Sequence, residues 1–94
     1  MSNRVYYKTV ETKEDAYRLV SQSITDETLK RFKVNAHVTY DDTYHGIFAT
    51  GKGFNLKIDF QDDSLGIDLS VGFFLNAFKQ KIVDVLKSEL GKLV

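Results

Sequence analysis

Alternation of apolar and polar residues runs through the middle of the chain. Val34, Ala36, Val38 and Tyr40 alternate with Asn35, His37 and Thr39. Phe54, Leu56, Ile58 and Phe60 alternate with Asn55, Lys57 and Asp59, and Leu65, Ile67, Leu69 and Val71 with Gly66, Asp68 and Ser70. Successive side chains of a strand point to opposite faces, so each run predicts a strand with one buried face. Thr43 to Thr50 is a further strand, with an inward face that is either His45/Ile47/Ala49 or Tyr44/Gly46/Phe48. Asp41-Asp42, Gly51-Lys52-Gly53 and Asp62-Asp63-Ser64 supply turn residues between the runs, giving an antiparallel meander.

Arg4 to Val10, rich in Val, Tyr and Thr, predicts a strand before the meander. Thr12 is placed to cap a helix that runs to about Lys33, with Asp15 in the position of a capping-box acid. Its apolar stripe is Ala16, Val20, Ile24 and Thr28, flanked by Leu19, Leu29 and Phe32. Ser21 to Thr28 is polar and a weak helix former, so a break falls most easily there. A second helix begins at Ala77 with Asn76 as N-cap. Phe78, Ile82, Val85, Leu86, Leu90 and Leu93 form its apolar face, with Val83 at the margin, an arc of roughly half the helix. The expected fold is a single α+β domain over residues 1–94. It has two layers: an antiparallel sheet in the order β-α-β-β-β-β-α and two helices packed on one face.

Composition narrows the chemistry. Thirteen basic residues balance thirteen acidic ones, so no global field draws in nucleic acid. The absence of cysteine excludes disulfides, zinc ribbons and thiol nucleophiles. No apolar run approaches the ~20 residues of a spanning helix, and the expected compartment is the cytoplasm.

The residue types that carry chemistry are scattered in ordinary settings. His37 and His45 flank Asp41-Asp42, but His37 belongs to the polar face and the aspartates to a turn, a poor match to a metal site. Ser21, Ser23, Ser64, Ser70 and Ser88 lack the base and orienting acid of a nucleophile. Asp62 with Asp63, and Asp59 with Asp68, read as solvated strand and turn carboxylates. Lys52 to Phe60 partly matches an RNA-recognition signature, but Leu56 stands where a base-stacking aromatic is required, and the strand order differs. Gly51-Lys52-Gly53 is too short for a phosphate loop. The expectation is a protein with no catalytic residues, no cofactor and no metal.

Phe73 and Phe74 precede the last helix. In an extended run they face opposite ways. Val71 continues the inward alternation, and Gly72 lets the chain slip that parity, which turns Phe74 and Phe78 inward and leaves Phe73 at the surface. With Lys79 and Lys81 nearby, Phe73 and Phe74 mark the expected interaction surface.

The stretch from Gly53 to Phe60, Asp62-Asp63, and the run Leu65-Gly66-Ile67-Asp68-Leu69-Ser70-Val71-Gly72-Phe73-Phe74-Leu75-Asn76-Ala77-Phe78-Lys79-Gln80-Lys81-Ile82 resembles the small bacterial polyhydroxyalkanoic acid system family. The layout is similar over nearly the whole chain and the motif over residues 53–82. Ala77 departs from the proline usual in the family at that point, and the first helix is less alanine-rich. The resemblance implies a context, polyhydroxyalkanoate storage granules, and brings no catalytic residues with it. The functional expectation is thus a non-enzymatic accessory or binding protein partnering the granule surface or granule proteins. Two alternatives are a carrier of a small apolar ligand held between sheet and C-terminal helix, as in helix-grip folds, and a structural domain that forms a homodimer. A closed apolar cavity would favour the carrier, and a filled core with an exposed aromatic patch would favour surface binding. Calorimetry with zinc is expected to show no tight stoichiometric binding; binding abolished by His37→Ala would overturn this.

Overall fold

A computed structural model describes residues 3–31 and 35–94, apart from the side chains of Asp26, Arg31 and Phe74. The strands are β1 (Arg4–Tyr6), β2 (Ala36–Asp41), β3 (Gly46–Gly51), β4 (Phe54–Phe60) and β5 (Ser64–Val71). The helices are α1 (Lys13–Ser23), α2 (Asp26–Arg31) and α3 (Lys79–Leu93), with a 3-10 helix at Phe73–Phe78. All strand pairs are antiparallel in the order β1-β5-β4-β3-β2. The α+β fold expected from the pattern is present. The link from β1 to β2 carries the chain from one sheet edge to the other across the apolar face.

The register explains the burial. Tyr40, Ile47, Ile58 and Ile67 form one cross-strand row, and Val38, Ala49, Leu56 and Leu69 the next. Ile47, Ile58 and Ile67 are buried, as are Phe60, Leu65 and Val5 in the row beyond. The neighbours of β3 therefore select its inward face as Ile47 and Ala49. Phe48 lies on the opposite face, where the Lys57 Nζ stands 5.9 Å from its ring centroid. Val34 lies outside the described residues.

Four elements differ from the sequence reading. β3 begins at Gly46 rather than Thr43, because Asp41 accepts from the N–H groups of Thr43 and Tyr44 and holds both in the turn. β1 stops at Tyr6: the Tyr7 N–H still bonds to the Asp63 carbonyl and its phenol donates to the carbonyls of Gln61 and Ser64, and the chain then bends at Lys8. Lys8, Thr9 and Val10 then donate their N–H groups to the Val94 oxygen at 2.6, 2.7 and 3.3 Å, which ties this segment to the end of α3. The long first helix is two helices. Ile24 ends α1 in an extended conformation, and the Thr25 hydroxyl accepts from the Thr28 N–H to start α2. Phe32 and Lys33, which the sequence reading put in this helix, lie outside the described residues. Leu19, expected to flank the stripe, is largely solvated, whereas Ala16 and Val20 are fully buried.

The last helix differs most. It begins at Lys79 rather than Ala77, Asn76 does not cap it, and a 3-10 turn fills the gap. Its buried positions are Val83, Leu90 and Val94, with Leu86 packed on the core. Val85, expected on the apolar face, is 54% exposed. At ~100° per residue Val85 lies about 200° from Val83, so only one of them can face the sheet. Gly91, packed against Val5, and the buried Val94 set the helix phase from its far end.

This asymmetry is measurable. Ile58→Ala should destabilise the fold by about 2–5 kcal/mol. Val85→Ala should change it by less than ~0.5 kcal/mol. Urea denaturation with an unchanged m-value checks both, and equal losses would contradict the helix phase described.

Candidate functional site

The sheet has two chemically different ends. The β2–β3 and β4–β5 turns lie at one end together with the start of α1. Thr12 caps α1 by accepting from the Asp15 N–H at 3.2 Å. Asp15 pairs with Arg18, and Lys13 reaches Asp62 at 3.8 Å. His45 closes the β2–β3 turn at φ +56°, a left-handed conformation in which His is tolerated better than branched residues. Its ring meets Tyr17 edge-on at 5.3 Å, its Nε2 lies 3.9 Å from Glu14, and its carbonyl accepts from Phe60. Asp41 accepts from the N–H groups of Thr43 and Tyr44, and Asp42 from the Tyr17 phenol.

These groups are engaged in holding the turn on the helix. His37 lies on the open sheet face, opposite Thr50, and His45 packs on α1, so the two histidines are not brought together. Among the described residues, no group of three His, Asp or Glu side chains is arranged to hold a metal ion. Ser64 accepts from Arg4 and donates to Asp63. Phe54 and Leu56 of the partial RNA signature are half-buried on the core side and Phe60 is buried, so none presents a stacking platform.

Two phenols are shifted. Burial, reinforced by Asp63 and the neighbouring acids, pushes Tyr7 up to about 12. Burial followed by the hydrogen bond to Asp42 pushes Tyr17 up to about 12.

The opposite end holds the β3–β4 turn, the end of β5, the 3-10 helix and the start of α3. Gly53 turns at φ +87°, and its carbonyl accepts from the Gly72 N–H at 2.8 Å. A Cβ on Gly51 would stand 2.7 Å from the Asn35 oxygen, so only glycine fits there. The Leu75 N–H bonds back to Gly72, and the chain coils at once after β5 instead of staying extended. The inference that Phe73 and Phe74 face opposite ways as strand residues therefore has the wrong geometry. Phe73 is 91% exposed. Phe78, expected to turn inward, is 56% exposed because it ends the 3-10 turn on the solvent side while Leu75 packs near Gly53. The Phe74 side chain lies outside the described residues.

Phe78 and Val85 are seven residues apart, two helical turns, and lie along one stripe. Lys81 lies between them and Lys79 beside them, both exposed. Among the described residues neither lysine has an acidic partner, and Asp84 instead accepts from Gln80. Sequence reasoning assigned Val85 to the core and so missed it from this surface; only the helix phase reveals it.

Two open hollows lie at the margins. One, about 340 Å³, runs along the 51–55 hairpin and residues 70–72; the other is formed by Thr9 to Glu11 and the first turns of α1. Between the sheet and the second half of α3 the space is occupied by Val5, Leu65, Leu90 and Val94.

The chain matches no protein-family model, no curated protein and no solved structure.

The Tyr7 phenol gives a test of the tie between β1 and the β4–β5 turn. Its raised pKa means that its contribution is fully present below the unfolded value near 10 and is lost as pH rises through about 12. Stability should fall over that window, and Tyr7→Phe should lower stability at neutral pH by about 1 kcal/mol while flattening the alkaline fall. An unchanged alkaline profile would remove Tyr7 from this role.

Proposed function

We propose that this chain is a non-enzymatic binding protein that docks on an apolar surface through Phe73, Phe78 and Val85, with Lys79 and Lys81 at the rim. The observation that carries this reading is the 91% exposure of Phe73, in the turn that leads into a helix whose surface also exposes Phe78 and Val85. Apolar side chains exposed together mark interaction sites far better than single ones. The filled space beneath the second half of α3 supports docking over carriage of a ligand within. The histidine, tyrosine and aspartate side chains at the opposite end hold its turns together, which supports a role without catalysis.

The resemblance of residues 53–82 to the polyhydroxyalkanoic acid system family supplies the context: the surface is that of a polyester storage granule. The docking stripe falls at the end of the resembling stretch and just beyond it.

Phe73→Ser and Phe78→Ser should each leave the melting temperature nearly unchanged, since neither ring is in the core, and the double variant should lose co-sedimentation with polyhydroxybutyrate particles. Retained co-sedimentation by a folded double variant would exclude this surface.

A further inference from the structure

A neutral chain can still carry its charges unevenly, and this one does. Eight of its thirteen acidic residues fall in three short segments, 11–15, 41–45 and 59–63. The antiparallel register puts the 41–45 and 59–63 segments at the same end of the sheet. The contacts Lys13–Asp62 and His45–Glu14 bring the start of α1 to that end as well. The other end is built from residues 51–55 and 70–83, which contain Lys52, Lys79 and Lys81 and no acid; Lys57 lies mid-way along β4, opposite Asp68. The hydrogen bond from Gly72 to Gly53 joins these two segments, so the basic end is one surface. It is also the end that exposes Phe73 and Phe78.

Resting on the docking surface proposed above, we infer that its partner is an anionic lipid interface, met with the basic, aromatic pole inward and the acidic pole turned to water. The exposed ring beside lysines selects this partner over the other anionic surfaces. Phe73 is 91% exposed, so its ring can enter a headgroup layer, and lysine stems can lie along that layer with their charges at the phosphates. Nucleic acid would need rings presented as a flat platform, and Phe54 and Phe60 are turned toward the core. The acidic pole adds orientation, because an anionic surface repels it and so disfavours the reverse approach.

Co-sedimentation of the full chain with three surfaces tests this: vesicles of phosphatidylcholine, vesicles of phosphatidylcholine with phosphatidylglycerol, and lipid-free polyhydroxybutyrate particles. The anionic vesicles should bind at least tenfold more tightly than the neutral ones, and less tightly as salt is raised. Lys52→Gln, Lys79→Gln and Lys81→Gln should each weaken binding about fivefold, the effect of one lysine at an anionic surface. Lys13→Gln, at the acidic pole, should leave it unchanged. Equal binding to both vesicle types overturns the inference. Binding to polyester particles with none to vesicles overturns it and leaves the docking surface standing, whereas binding to none of the three removes both. Tighter capture of a single-stranded oligonucleotide than of anionic vesicles, or self-association lost in Phe73→Ser without vesicle binding, likewise overturns it.

Discussion

The pairing of β4 with β5 places Ile58 beside Ile67 and Phe60 beside Leu65, and these four buried side chains are the floor on which the other elements rest. Both strands alternate, so their apolar residues share a single face. That face must be covered, and only the helices can cover it. The link between β1 and β2 crosses that face, since the two strands lie at opposite edges of the sheet.

Covering is uneven between the two ends of the sheet. At the acidic end, Tyr7, Tyr17, His45 and the Val94 oxygen close the structure with hydrogen bonds and ring contacts between elements far apart in sequence. The start of α1, both hairpin turns and the end of α3 are joined there. At the basic end, one backbone hydrogen bond between two glycines ends β5 and starts the 3-10 helix. The short coil that follows leaves Phe73 and Phe78 in solvent. Tight closure at one end allows the other to present apolar groups without loosening the core.

Parity along β4 and β5 was legible because alternation is imposed by the backbone itself, and Thr12 as a helix cap because capping is local. The break before α2 was half-legible: the weak helix formers mark the region, while the Thr25 cap and the reach of the Tyr40 phenol to the Ile24 carbonyl locate it. The candidate surface was legible as a segment, at Phe73, Lys79 and Lys81, and not as a shape.

By itself, then, the sequence determined the class of fold, the order of the strands and the inward residues of β4 and β5, since each depends on neighbours a few residues away. Tertiary structure decided three things. Val38 and Leu56, flanking β3, chose Ile47 and Ala49 as its inward face. Burial of Leu90 and Val94 in the core with Val5 and Leu65 chose which side of the half-apolar helix would face the sheet, and sent Val85 out. The Gly53–Gly72 contact chose a coil over an extended run after β5, and sent Phe78 out. In each case the local pattern permitted two arrangements of similar energy, and a partner distant in sequence selected one.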